Sequence, residues 1–170
     1  MFHAGGYKQK KVSEIVFEKY DTDGNGTING EEFRFACYDM GHHMSEEQLA
    51  VALHKVDRNG DGSISYAEWL EWWRANNRFG ALKLEEKELA FVTEAVSYFR
   101  YFDKDNSGAL SHDEFPLLHA DLLKNGYGAH IPADPSAALK ALDTSNDSEI
   151  DLFEYVQWLV KIGQFKPSKV

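Results

Sequence analysis

Residues 21–32 read DTDGNGTINGEE. Asp21, Asp23 and Asn25 put a side-chain oxygen at every second position, Gly26 stands sixth, Asn29 ninth, and Glu32 closes the run at the twelfth. Oxygens spaced so densely suit a hard cation such as Ca²⁺, which takes about six to eight of them at about 2.3–2.6 Å. A twelve-residue loop can converge them only by bending sharply near its middle, where Gly26 tolerates positive φ. A closing Glu can offer two oxygens at once, which suits a large ion better than the tight octahedron of Mg²⁺.

The pattern returns three times. Asp57, Asn59, Asp61, Gly62, Ser63, Ser65 and Glu68 make a second copy, and Asp103, Asp105, Ser107, Gly108, Ala109, Ser111 and Glu114 a third. Asp143, Ser145, Asp147, Glu149, Asp151 and Glu154 make the fourth. Four copies in 170 residues are an internal repeat, not an accident of acidic surface turns. The spacing resembles the EF-hand calcium loop. That resemblance implies an all-α fold of four helix-loop-helix hands in two paired lobes, with short antiparallel β-bridges between paired loops. It also implies the metal ligands. In loop one these are Asp21, Asp23, Asn25, Thr27 and Glu32, and in loop two Asp57, Asn59, Asp61, Ser63 and Glu68. Loop three supplies Asp103, Asp105, Ser107, Ala109 and Glu114, and loop four Asp143, Ser145, Asp147, Glu149 and Glu154. The expected load is up to four Ca²⁺, with Mg²⁺ as a competitor.

Charge follows the same map. The chain carries a net −10, yet the four loops hold sixteen acids and two bases, while the remainder holds twelve acids and sixteen bases. Four divalent ions would bring the total to about −2. An acidic chain of this kind argues against nucleic acid as a partner. Cys37 is the only cysteine, so no internal disulfide is expected. No apolar run is long enough to span a membrane, residues 1–11 lack a signal-peptide core, and Met1-Phe2 does not offer the Gly that myristoylation needs. A cytoplasmic protein without a membrane anchor is the expectation.

Around the loops the helices fall into place. Val12, Ile15, Val16 and Lys19-Tyr20 have helical spacing before loop one, after a loose lead at residues 1–9. Each exit helix starts at the loop's ninth residue: Asn29/Glu32, Ser65/Glu68, Ser111/Glu114 and Asp151/Glu154 all stand three apart, as in a capping box. Phe33, Ala36, Cys37 and Met40 line the first exit helix, which Gly41 ends. Ser45 with Gln48 starts the next, with Leu49, Ala52, Leu53 and Val56 facing inward. His42 and His43 are adjacent, so on a helix they would point apart, and they read as a surface turn rather than a metal pair. Trp69, Leu70, Trp72 and Trp73 read as core and inter-lobe contact, or else as a docking surface for a partner helix.

The apolar pattern lapses between Ala75 and Lys83, with Gly80 as a break, so the division is placed at 1–79 and 80–170. Val92, Ala95, Val96 and Phe99 then stripe a long helix over 85–102. Pro116 is expected in the second turn of the third exit helix, where it removes a backbone hydrogen bond and kinks it. Asp134 before Pro135 starts a short helix to Leu142, and the last helix runs from Leu152 to Ile162. Loop starts lie 36, 46 and 40 residues apart, so the longest gap suits the join between pairs. The eighth-place residues Ile28, Ile64, Leu110 and Ile150 imply, through the resemblance, that loop one bridges loop two and loop three bridges loop four.

Two departures stand out. Ser148 occupies the sixth place of loop four, where Gly is expected, and Ser145 replaces an acid at its third, although that loop has the most acids at ligand places. Loop three has neutral Ser107 and Ser111, which sets it below loop one. As to class, three readings stand. A calcium buffer or signal modulator, similar to sarcoplasmic and calerythrin-like proteins, fits the 14% aromatic content and unequal gaps. A sensor that opens on Ca²⁺ and grips a target protein helix fits the four usable loops, but such grooves are rich in Met and this chain has three. A calcium-triggered photoprotein is permitted by four Trp and seven His, with no motif that selects it. No Ser/His/Asp or Cys/His arrangement marks an enzyme.

Overall fold

The computed structural model describes residues 10–164; the lead at 1–9 and the N-terminal readings made on Met1 and Phe2 lie outside them. Helix α1 (Val12–Tyr20) enters loop one, and α2 (Gly30–Asp39) leaves it. Helices α3 (Glu46–Val56) and α4 (Tyr66–Arg74) flank loop two. A short α5 (Arg78–Ala81) precedes the long α6 (Glu86–Phe102), which with α7 (Phe115–Lys124) brackets loop three. Helices α8 (Pro135–Leu142) and α9 (Leu152–Lys161) bracket loop four.

The loops pair as expected. Strands β1 (Thr27–Ile28) and β2 (Ile64–Ser65) run antiparallel with Ile28 opposite Ile64. Strands β3 (Ala109–Leu110) and β4 (Ile150–Asp151) do the same with Leu110 opposite Ile150. All four of these apolar side chains are fully buried, so each bridge is pinned from below by the core. Asn29, Ser65 and Asp151 accept from the N–H of Glu32, Glu68 and Glu154, and each Glu returns the bond to the cap's own N–H.

Each half has its own core. One gathers Phe17, Tyr20, Phe33, Leu53, Trp69 and Trp72; the other gathers Phe99, Phe102, Phe115, Leu118, Tyr155 and Trp158. A third cluster joins them: Ala50 and Val51 of α3 pack on Val92 and Val96 of α6 and Val156 of α9. Every residue of α3 from Leu49 to Val56 is therefore buried, because the side opposite its amphipathic stripe faces the second half. His54 and Lys55 are the polar residues of that run; the Nζ of Lys55 lies 2.9 Å from Glu88 Oε2 and donates to the Lys83 carbonyl at 2.8 Å.

Four expectations need correction. The buried face of α1 is Ser13, Phe17 and Tyr20, whereas Val12 and Ile15 are 71% and 54% exposed. The larger aromatic rings take the core side, meeting Tyr66 and Trp69 edge-on or tilted. The tryptophans of α4 belong to the first core and do not make the inter-lobe contact, which α3 makes instead. The apolar lapse after Ala75 is not bare linker: α5 packs on that core through Phe79, and Leu82 beside it is buried. Finally, the third capping box is incomplete. Residues 112–114 form a turn and α7 starts at Phe115, so Pro116 falls in its first turn, where its missing N–H would have no helical partner anyway.

Candidate metal centre

Each loop is held open by its own backbone. The first-place carboxylate accepts from the sixth residue's N–H: Gly26 to Asp21 at 2.9 Å, Gly62 to Asp57 at 2.9 Å, Gly108 to Asp103 at 3.0 Å and Ser148 to Asp143 at 3.0 Å. The third-place oxygens of Asp23, Asn59 and Asp105 accept from the fifth N–H. The fifth-place side chains of Asn25, Asp61 and Asp147 accept from the seventh N–H, those of Thr27, Ser63 and Glu149, and Ser107 Oγ receives a long bond from Ala109 N. These Asx-type turns fix the side-chain oxygens of the third and fifth places against the loop's own backbone.

The twelfth-place Glu closes each ring. Glu32 Oε1 accepts from the N–H and hydroxyl of Thr22, both at 2.8 Å. Glu68 accepts from Arg58 N and Asn59 N, Glu114 from Lys104 N, and Glu154 from Thr144 N and Ser145 N. The second-place residues Thr22, Arg58, Lys104 and Thr144 were not picked out from the sequence. The recurrence of Thr at that place in loops one and four is the one signal that could have found them.

Turning each loop requires left-handed backbone twice, at places four and six. Gly24, Gly26, Gly60, Gly62 and Gly108 supply it without a side chain, and Asn106 and Asn146 adopt φ of 57° and 62°. Ser148 sits at φ 72°, the strain anticipated from the sequence. Replacing Ser148 with Gly is expected to raise stability by about 1 kcal/mol net of the freer unfolded chain. Urea unfolding in chelator measures it, and an unchanged or lower midpoint speaks against strain there.

The electrostatics record both burial and donors. Burial raises the carboxyl of Asp57 above its ordinary value despite the Gly62 and Gly60 N–H groups. Burial pushes Asp151, the N-cap of α9, up to about 6. At Glu68 and Glu114 burial also acts upward, but the donors at Ser65, Asn59 and Arg58, and at Ser111 and Lys104, outweigh it and hold these carboxyls low. A divalent cation would favour the charged form at all of these places.

Two of the loops bring three carboxylates together. Carboxylate oxygens of Asp21, Asp23 and Glu32 lie within 4.8 Å of one another, as do those of Asp103, Asp105 and Glu114. Asp21 Oδ1 is buried and accepts no hydrogen bond, an oxygen left without the partner that burial demands. Among the described residues no such triple forms in loops two and four, whose third places carry Asn59 and Ser145 instead of an acid. One carboxylate oxygen of Asp151 caps α9 at Glu154 N.

Comparisons with known proteins agree with this layout. A family model described as an EF-hand domain pair matches residues 10–74, and one described as EF hand matches residues 95–116. The rice protein called probable calcium-binding protein CML13 is 28% identical over 93% of this chain and 87% of its own length. An Arabidopsis thaliana protein, probable calcium-binding protein CML20, is 32% identical over 71% of this chain and 66% of its own. Rice calcium-dependent protein kinase 19 is 30% identical over 91% of this chain, which spans only 26% of that kinase. A solved homolog of programmed cell death 6 protein from Leishmania major Friedlin covers 91% of this chain and 73% of its own at 22% identity, with a TM-score of 0.38 too low to carry an argument.

Proposed function

Because the chain belongs to the EF-hand family, we propose that it binds up to four Ca²⁺ through its loops and acts as a calcium buffer or signal modulator. The carrying observation is the convergence in loop one, where three carboxylates meet around a buried Asp21 oxygen without a donor. The ligand roles are those named for each loop above, and loop three repeats the triple. The chain's own part is to present these oxygens already oriented by N–H donors; the cation would supply the positive charge they lack. Mg²⁺ competes for the same oxygens but needs tighter geometry.

The proposed units are residues 1–79 and 80–170, one pair of hands each, acting in the cytoplasm. A lone, buried and unpaired Cys37 is in keeping with a reducing compartment, and among the described residues no helix is long and apolar enough to cross a membrane. The modulator reading is supported by the closed packing of α3 against α6 and α9. One feature favours the sensor reading instead: a groove of about 360 Å³ between α6, α7 and α9, lined by Phe91, Tyr98, Leu122, Tyr127, Tyr155 and Leu159. A target protein helix would need such a surface. Apolar-dye binding that rises strongly with Ca²⁺ would select the sensor, and an unchanged signal the modulator.

The binding itself is tested by calorimetric Ca²⁺ titration, repeated with Mg²⁺ present. Changing Glu32→Gln removes a charge and a two-oxygen ligand from loop one. It is expected to weaken one site by about tenfold or more, the equivalent of about 1.4 kcal/mol. A titration identical to that of the unsubstituted chain would remove Glu32 from the ligand set.

A further inference from the structure

The start of α9 does more than close loop four. Phe153 lies over Gly30, the tenth residue of loop one, so closely that a Cβ there would come within 2.6–2.8 Å of three ring atoms. Glu154 is the twelfth residue of loop four, and its carboxylate holds the N–H groups of Thr144 and Ser145. Three residues on, Gln157 is 3% exposed and reaches across to the other half of the molecule. Its Nε2 donates to the Gly60 carbonyl at 3.1 Å, and its amide lies against Gly62, where a Cβ would meet it at 2.7 Å.

Those two glycines are not incidental to loop two. Gly60 N–H donates to Asp57 Oδ1 at 2.7 Å and Gly62 N–H to Asp57 Oδ2 at 2.9 Å. The one amide of Gln157 therefore clamps the stretch of backbone that orients the first-place carboxylate of loop two, and that carboxylate is fully buried. The clamp stands one helical turn from the terminal carboxylate of loop four, so Glu154 and Gln157 lie on the same side of α9. A shift of α9 as Glu154 engages a cation would move the clamp with it, because a helix turn transmits displacement as a rigid unit.

We infer that Gln157 is a positioning residue that couples loop two to loop four across the two halves, so that occupancy of one raises the affinity of the other. This rests on the calcium-binding reading above. It goes beyond the β-bridges, which join loops only within a pair.

The test uses the full chain carrying Glu32→Gln and Glu114→Gln, which leaves loops two and four. Trp69, next to Glu68, reports loop two in a Ca²⁺ titration, alongside calorimetry. Adding Glu154→Gln is expected to weaken loop two by about fivefold or more. In a background that also carries Gln157→Met, which keeps length and volume but removes the donor, the same change is expected to weaken loop two by less than about twofold. Hydrogen exchange on the metal-free chain gives a second readout. The amides of Gly60 and Gly62 should exchange several-fold faster in Gln157→Met, while those of the β3–β4 bridge stay unchanged. An equal effect of Glu154→Gln in both backgrounds, no effect in either, or unchanged exchange at Gly60 and Gly62 would overturn the coupling. Failure of the calcium reading is separate: the unsubstituted chain would then take up no Ca²⁺ in the same titration.

Discussion

Replacing Glu88 with alanine is expected to destabilise the protein by about 3–5 kcal/mol, the range for breaking a buried ion pair by removing one partner. Lys55 and Glu88 are only 2% and 5% exposed, and their charged atoms lie 2.9 Å apart. The alanine variant keeps the Lys55 ammonium away from water with the Lys83 carbonyl still in reach but its carboxylate gone. It also removes the acceptor that Glu88 offers to Glu85 N–H at the start of α6, a cap contribution of about 1 kcal/mol. Two-sided replacement behaves differently. Lys55→Met with Glu88→Leu deletes both charges and is expected to recover most of the loss, because apolar side chains need no solvent. Urea unfolding of the single and double variants measures this. A single-variant loss below about 1 kcal/mol would mean that water reaches the pair.

Trp72→Ala is expected to cost about 3–5 kcal/mol, as for other large aromatic truncations. Trp72 is 1% exposed. Its ring meets Phe33 edge-on at 5.2 Å, Trp69 at 5.1 Å and Phe79 at 5.7 Å. Its indole N–H donates to the Arg78 carbonyl at 3.1 Å, which ties α5 to the core. The truncation opens a cavity and frees α5 together. Trp72→Phe keeps most of the ring and loses the donor, so it should cost about 1–2 kcal/mol. Thermal unfolding with near-ultraviolet dichroism reads both losses, and equal losses for Ala and Phe would assign the effect to the hydrogen bond rather than to packing.

The loops were legible in the sequence because their chemistry is local. An oxygen at alternate positions, a turn residue sixth and an apolar residue eighth all act within twelve residues; the pairing of Ile28 with Ile64 and of Leu110 with Ile150 is not local, and was legible only through the resemblance those loops carry. The caps were legible because they too are local, except at Glu114, where Pro116 shifts the helix start. What stayed hidden depends on distant chain. Ala50 and Val51 look neutral beside the stripe of Leu49, Ala52, Leu53 and Val56, and only α6 and α9 make them core. Lys55 reads as a solvated charge until Glu88 is brought beside it. On α1, spacing alone cannot rank Val12 and Ile15 against Phe17; the rings waiting on α4 settle it.

The net of N–H groups behind each ring of oxygens bears on the speed of the molecule. Side chains already tethered to their own turns lose little freedom when an ion arrives. Capture would then be paced by the ion shedding its water, and release by how readily each tether takes its oxygen back. A scaffold of this kind would need no unfolding to take up an ion or to let it go.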